Sequence, residues 1–220
     1  MKINKLELKW LGHSGFFICN GKNIYIDPYM ISDNCEKADI ILITHSHYDH
    51  CSIADLRKIT KDGTTIVVSA DAQSKIGNLN HRIDMHVVEL GEEIDFRDLK
   101  VLAVPAYNLT KMFHPKDEHW FGYVLKFDDV VIYHAGDTDL IPEMQKLTGF
   151  GSGKEFIALL PVGGKYVMDA EEACEAAVLI KPSVAIPIHY GSVAGTIEDA
   201  LKFKKLCEER GVNVEVLEKE

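Results

Sequence analysis

The sequence lacks paired cysteines. Its five cysteines are scattered over 220 residues, no two stand in a CxxC spacing, and their number is odd; they are Cys19, Cys35, Cys51, Cys174 and Cys207. A disulfide framework is therefore not expected, which agrees with a reducing compartment.

Long apolar runs are also missing. No run approaches the ~20 residues that a membrane-spanning helix needs. The first residues, from Met1 to Glu7, contain neither the apolar stretch nor the small-residue cleavage site of a signal peptide. We therefore expect a cytoplasmic protein without a membrane partner.

Positive charge is in deficit, because the formal net charge is -10 at pH 7. This deficit disfavours a protein that coats nucleic acid through bulk electrostatics. It does not exclude an enzyme that acts on a phosphodiester through bound metal, because the ions supply local positive charge.

The chain has no low-complexity tract or linker-like segment, and 46% of its residues are hydrophobic. Short apolar runs predict strands, with helices in between. The predicted strands cover residues 6–10, 15–19, 23–26, 39–44, 64–69, 99–105, 121–127, 130–133, 156–160, 184–188 and 212–217. The predicted helices cover residues 53–59, 140–147, 169–181 and 196–210. We predict one α/β domain over residues 1–220.

Four of these apolar strands run directly into polar sequences that can bind metal. Residues 40–43 lead into 44–50, residues 130–133 into 134–139, residues 156–160 into 161–164, and residues 184–188 into 189–192. In open sheets covered by helices, ligands bind at the carboxyl ends of the strands. Residues distant in sequence can therefore converge on one edge.

The first of these segments contains His45, His47, Asp49 and His50. Such a cluster is costly inside a core, because each buried imidazole or carboxylate needs a partner. Four side chains on so short a loop suit two adjacent cations better than one tetrahedral ion. Two ions ~3.5–4 Å apart would hold and activate a bridging water. Asp137 is the natural bridging carboxylate, and His189 can close the second site.

These motifs resemble the metallo-β-lactamase fold superfamily over nearly the whole chain. The matching residues are the His45-x-His47-x-Asp49-His50 cluster, Asp27-Pro28, Gly136-Asp137-Thr138 and His189. The segments 10–15, 26–28, 133–138, 160–164 and 186–190 are similar to small stand-alone hydrolases related to L-ascorbate-6-phosphate lactonase. The resemblance implies an α/β fold, a four-layer αββα sandwich.

The resemblance also implies a role for each motif residue. His45 and His47 would bind the first metal, Asp49, His50 and His189 the second, and Asp137 both. A metal-bound hydroxide would be the nucleophile, and Asp49 would orient it or manage its proton. Asp27 would orient a ligand histidine. The expected cofactors are two divalent ions, with zinc as the default and manganese, iron or nickel as alternatives.

The sequence departs from the family pattern at one ligand of the first metal. The family usually has a histidine where this chain has Asn108. His114 can replace the missing ligand, Asn108 can bind weakly, or the enzyme can work with one tightly held metal. We favour His114, since the following Pro115 makes its presentation rigid.

His13 is a second candidate for the catalytic site beside Asp49. It follows a strand and a glycine, so it can face the same edge and contact substrate or a metal ligand. A structural histidine bonded to backbone is an equal alternative.

The leading hypothesis is a metal-dependent hydrolase of a small ester, lactone or phosphoester, whose substrate can be anionic. A small-substrate phosphodiesterase is the alternative among enzymes, and a metal-binding protein without turnover is the alternative outside them. Nucleic acid is disfavoured as a partner, and self-association into a homo-oligomer is left open.

Overall fold

A computed structural model describes residues 1–77 and 79–220. The chain forms two compact units, one of residues 1–89 with 217–220, the other of residues 90–216. The sequence-based expectation of a single domain stays a prediction. Within the described part of the chain, no helix combines the length and apolar character needed to cross a membrane.

The first unit contains a seven-stranded mixed sheet. Its strands follow chain order: β1 (Lys2–Ile3), β2 (Leu6–Gly12), β3 (Gly15–Cys19), β4 (Asn23–Ile26), β5 (Ile40–Leu42), β6 (Thr65–Val68) and β7 (Asp84–Val87). The pairs from β1 to β4 are antiparallel, and those from β4 to β7 are parallel. The parallel strands place the residues that follow β4, β5 and β6 at one edge.

Two helices cover this sheet: α1 (Ile53–Ile59) and α2 (Gln73–Ile76). Ser52 begins α1, because its side chain accepts a hydrogen bond from the Asp55 backbone N–H. Leu56 and Ile76 of the two helices are fully buried in one cluster with Ile41 of the sheet. Burial of this apolar surface fixes the loop between β5 and α1 at both ends.

The second unit contains a six-stranded mixed sheet in the order β13-β12-β11-β10-β9-β8. The strands are β8 (Glu93–Asp95), β9 (Lys100–Pro105), β10 (Phe121–Lys126), β11 (Val130–His134), β12 (Glu155–Pro161) and β13 (Val184–Ile188). Strands β11, β12 and β13 run parallel. Helix α3 (Ala170–Ile180) contacts β12, and helix α4 (Ile197–Glu209) contacts β13.

The predicted helix starts are confirmed. Asp169 and Glu172 form a reciprocal capping box at α3, and Thr196 and Asp199 form another at α4. Each box satisfies backbone N–H groups that the first turn leaves without a helical acceptor.

Two element predictions are wrong. Residues 212–217 form no strand: Val214 makes only an isolated bridge with Ala185, although two backbone hydrogen bonds join the segments. The segment from 140 to 147 is not an α-helix but a 3₁₀ helix, Pro142–Leu147, which begins at a proline. The short strands β1, β7 and β8 were not predicted, because segments this short carry little periodicity.

Candidate functional site

The histidine cluster of the first unit begins just beyond β5. Residues 40–42 are buried on both faces of the sheet, and the chain then runs through Thr44 to His50 before α1 starts. His45 and His50 are buried, His47 is half-buried, and Tyr48 is 64% exposed. The segment after β5 therefore places the polar side chains of His45 and His50 in the protein interior.

Asp27 organises this segment from the end of β4. It is fully buried and adopts a positive φ of 42°. Its Oδ1 accepts a hydrogen bond from the Thr44 backbone N–H at 2.9 Å, and its Oδ2 accepts one from the Thr44 hydroxyl at 2.6 Å. The same Oδ2 lies 2.7 Å from Nδ1 of His50. A carboxylate only accepts, so the proton of a neutral His50 ring sits on Nδ1. The lone pair of Nε2 can then bind a cation.

Asp49 joins His50 to His13, which lies in the turn between β2 and β3. His13 is buried, with a φ of 53°. Its Nε2 lies 2.9 Å from Oδ2 of Asp49, and Nε2 of His50 lies 3.7 Å from the same oxygen. One ligand atom from each of these three residues can be chosen so that all lie within 4.8 Å of one another. The predicted residues His13, Asp49 and His50 therefore converge.

His45 and His47 form the other part of the cluster. Nε2 of His45 lies 3.0 Å from Nδ1 of His47. Nδ1 of His45 lies 3.0 Å from the Thr44 hydroxyl, the same hydroxyl that donates to Asp27. Because that hydroxyl proton is committed to Asp27, the Thr44 oxygen accepts from His45 and places the His45 proton on Nδ1. The i, i+2 spacing brings the two rings together as expected.

In the second unit, the ends of the three parallel strands carry two of the predicted residues and a glycine. Asp137 follows β11, Gly163 follows β12, and His189 follows β13 with a φ of 58°. A Cβ atom on Gly163 would lie 2.5 Å from the carbonyl oxygen of His189. Glycine at this position therefore lets the β12 loop approach His189 closely.

Asp137 connects two histidines of this unit. Its Oδ2 lies 3.1 Å from Nε2 of His114 and 3.2 Å from Nε2 of His189. All three side chains are buried, with His189 only 1% exposed. His114, favoured by the sequence, therefore lies against the carboxylate predicted to bridge the metals.

Asn108 lies behind His114. Its Oδ1 accepts the backbone N–H of His114 at 3.0 Å and lies 3.1 Å from Nδ1 of the ring. Its Nδ2 donates to Asp139 at 3.0 Å and to the carbonyl of Tyr166 at 2.9 Å. A backbone N–H can only donate and a carboxylate can only accept, so this amide has one possible orientation.

The proton of His114 follows from these neighbours. Its Nδ1 faces two acceptors, Oδ1 of Asn108 at 3.1 Å and the carbonyl of Tyr166 at 3.2 Å. Nδ1 therefore carries a proton, and the lone pair of Nε2 in a neutral ring points to Asp137. Two lone-pair-bearing groups at 3.1 Å require a cation or a proton between them.

Sequence reasoning missed Asp139 and Tyr166. Asp139 is 2% exposed and accepts from Asn108, from the Leu109 N–H at 2.8 Å and from the Lys111 ammonium at 2.6 Å. Its place two residues after Asp137 was visible, but its partners lie about thirty residues away along the chain and leave no local signal. The two residues fix the loop that presents His114.

The donors in each unit fit divalent metal ions. Imidazole nitrogens and carboxylate oxygens are the ligands that zinc takes in proteins when cysteine is not used. Asp27 and Asn108 hold Nδ1 protons on His50 and His114, which is the arrangement that outer partners of metal-binding histidines provide. His134 differs, since its Nδ1 accepts the Gly136 N–H at 3.2 Å.

Comparison with known proteins gives consistent matches. A family model described as a beta-lactamase superfamily domain matches residues 7–189. A UPF0173 metal-dependent hydrolase from Methanopyrus kandleri is 34% identical over 231 residues, and the alignment covers 96% of each chain.

Solved structures are similar as well. A protein from Parabacteroides distasonis has a TM-score of 0.83 and 31% identity, with 98% of this chain and 94% of that chain covered. A metallo hydrolase from Ignicoccus hospitalis has a TM-score of 0.76 and 27% identity, with 97% and 95% covered.

Proposed function

This chain belongs to the metallo-β-lactamase superfamily and is a metal-dependent hydrolase, and from that premise we propose that it hydrolyses a small ester, lactone or phosphoester. The observation that carries the proposal is the position of Asp137, whose Oδ2 lies within 3.2 Å of Nε2 of both His114 and His189. A carboxylate oxygen placed between two imidazole nitrogens could bind metal together with either histidine, and the ions would then supply the hydrolytic chemistry.

We assign the ligands as the family resemblance distributes them, with His114 taking the place of the histidine that is Asn108 in this chain. His45, His47 and His114 hold one ion, Asp49, His50 and His189 hold the other, and Asp137 serves both. Zinc is the proposed metal, because the donors are nitrogen and oxygen atoms of histidine and aspartate. When bound, the ions supply Lewis acidity, lowering the pKa of a water molecule to give a hydroxide and polarising the bond under attack.

Asp49 and His13 handle the proton in this proposal. The carboxylate of Asp49 accepts the proton that the attacking water loses, and the contact of 2.9 Å with Nε2 of His13 keeps Oδ2 in place. His13 is 2% exposed and Asp49 is 6% exposed, so bulk water has little access to the pair. The buried setting strengthens the interaction between them.

Asp27 and Asn108 act on the ligands rather than on the substrate. Asp27 accepts a hydrogen bond from Nδ1 of His50 at 2.7 Å, and Asn108 accepts one from Nδ1 of His114 at 3.1 Å. Each contact fixes the tautomer in which Nε2 can bind metal, and it restrains the ring. Among the three arrangements considered for Asn108, these contacts support His114 as the ligand.

The experiment combines metal analysis with a substrate panel. Elemental mass spectrometry of the reconstituted protein should find about two zinc ions per chain. The loaded protein is then assayed on lactones, thioesters and the phosphodiester bis(p-nitrophenyl) phosphate. Turnover of a lactone or thioester supports the proposal, whereas turnover of the phosphodiester alone favours the alternative, a small-substrate phosphodiesterase.

Two variants test the assignment of residues. His50→Ala should lose at least one ion and about a hundredfold or more of turnover. His81→Ala is the matched control, since the His81 side chain is 40% exposed and lies near Asp62. Full loading without turnover of any substrate would favour a metal-binding protein, and unchanged turnover in His50→Ala would refute the two-metal assignment.

A further inference from the structure

The second unit contains a cavity of about 410 Å³. None of the candidate metal ligands is among the described residues that line it. Pockets that bind small molecules have volumes of ~300–1,000 Å³. The cavity is therefore large enough for a small ligand and distinct from the residues assigned to metal.

Its wall is mainly aliphatic. Four consecutive residues of β9, from Leu102 to Pro105, line one side, and Met144, Leu147 and Phe150 contribute to the rest. Four residues of a strand span ~10 Å, at ~3.3 Å per residue. An extended heptyl or octyl chain has a similar length, so the cavity matches an unbranched aliphatic group.

Tyr133 supplies a polar group on this wall. The side chain is 1% exposed, and it comes from β11. Burial raises the pKa of its hydroxyl, so the group is a neutral hydrogen-bond donor. A buried tyrosine hydroxyl normally has a partner, because leaving it unpaired costs free energy. A ligand with an acceptor oxygen would provide that partner.

The charged residues on the wall do not favour a charged ligand. Glu143 is already engaged, since it accepts from the Tyr107 hydroxyl at 2.8 Å and from Lys116 at 3.2 Å. Lys146 is exposed to solvent. A carboxylate placed in the cavity would therefore lose its hydration without gaining a buried cation.

We propose that this cavity binds an uncharged aliphatic molecule with one carbonyl oxygen, the chain lying along Leu102 and Val104 and the carbonyl accepting a hydrogen bond from Tyr133. A neutral donor in an apolar wall selects a neutral acceptor, because neither group then carries an unpaired charge. The site is independent of the proposed hydrolytic reaction and needs no turnover.

Heptyl methyl ketone is the probe, titrated into the metal-loaded full chain and followed by methyl NMR. We expect saturable shifts of the Leu102, Val104, Met144 and Leu147 methyl groups. Tyr133→Phe should bind the ketone about fivefold more weakly, the loss of one neutral hydrogen bond, with an otherwise unchanged methyl spectrum. Leu102→Trp should fill the cavity and abolish the shifts.

Three results would overturn the proposal. If Tyr133→Phe binds the ketone as tightly as the parent protein does, the Tyr133 hydroxyl does not contribute to binding. Tighter binding of octanoate than of the ketone would show that the site selects an anion. Methyl shifts that change with protein concentration, without added ketone, would show that a second copy of the chain covers this surface.

Discussion

Asn108 receives two hydrogen bonds from His114, one from its backbone N–H at 3.0 Å and one from its ring Nδ1 at 3.1 Å. The asparagine stands where the family usually has a metal-binding histidine, and here its oxygen accepts from His114, the residue that we propose as the ligand in place of that histidine. Its Nδ2 donates to Asp139 at 3.0 Å. Asn108 thus restrains the ring of His114, the proposed ligand, instead of occupying the ligand position itself.

Asn108→Ala should therefore weaken metal binding without removing a ligand. We expect a loss of about 10–100-fold in affinity for one ion, the usual effect of deleting the outer partner of a metal-binding histidine. Competition with a chromophoric chelator measures it.

A second readout tests the tautomer directly. In the metal-free protein, ¹⁵N NMR should show Nδ1 of His114 protonated, whether or not a second proton lies between Nε2 and Asp137, and this protonation should be reduced in Asn108→Ala, where the Tyr166 carbonyl is the remaining acceptor. An unaltered tautomer together with unaltered affinity would show that Asn108 has no positioning role.

Asp27→Asn should have a comparable effect on the other proposed ion. The amide has one accepting oxygen and an NH2 group that only donates, so contacts to the Thr44 N–H, the Thr44 hydroxyl and His50 cannot all persist. We expect a loss of about 10–100-fold in metal affinity, measured by calorimetric titration. Asp39→Asn is the control, because its half-exposed carboxylate bonds to Lys61 and the Asn23 N–H. Equal losses in both variants would point to a general effect of charge.

Gly163→Ala should disturb His189. The added Cβ would lie 2.5 Å from the His189 carbonyl oxygen and 3.0 Å from its Nδ1, so the backbone must move. We expect a loss of about 1–3 kcal/mol in the free energy of unfolding, measured with urea, and weaker metal binding.

The matched control is Gly77→Ala. Gly77 has a φ of -57°, which alanine adopts, and its nearest neighbour would be 3.9 Å from the new Cβ. Its free energy of unfolding should stay within about 0.5 kcal/mol of the parent protein. A Gly163→Ala protein as stable as this control would show that the approach to His189 is not tight.

The features of the fold that were predicted correctly are those that depend on patterns of neighbouring residues. The predicted α/β fold of the metallo-β-lactamase type is confirmed by the family match and by two mixed sheets with their helices. The capping boxes and the polar strand ends are readable because each depends on a few consecutive residues. The narrower relation to L-ascorbate-6-phosphate lactonase stays a prediction, as do the ligand roles.

Contacts between distant segments explain what the sequence did not predict. Asn108 reaches Tyr166, 58 residues away, and this pairing leaves no periodic signal. The segment around Val214 reads as a strand because its side chains alternate, yet alternation shows an extended chain and not whether a sheet will pair with it. Pairing depends on the neighbouring chain, which a local pattern does not contain.

The stability of the fold should depend on pH through the carboxyl group of Asp55. Burial opposes its ionisation, but hydrogen bonds from Ser52, Lys58 and the Met30 N–H outweigh burial and lower the pKa of its carboxyl. A lowered pKa in the folded state means that the charged form stabilises the fold above the unfolded pKa of ~3.9, and that this stabilisation is lost as the pH falls through the folded value.

Asp55→Asn should therefore lower the free energy of unfolding by about 1–2 kcal/mol at neutral pH. The gap to the parent protein should close as the pH falls through the lowered pKa of Asp55, because the parent carboxyl then becomes neutral too. Urea unfolding across this range measures both effects. Asp33→Asn is the control: the Asp33 side chain is 87% exposed and pairs with the same Lys58 at 3.1 Å. Since exposed pairs contribute at most about 1 kcal/mol, it should change little. A gap for Asp55→Asn that stays constant into acid would mean that the side chain acts through packing and not through its charge.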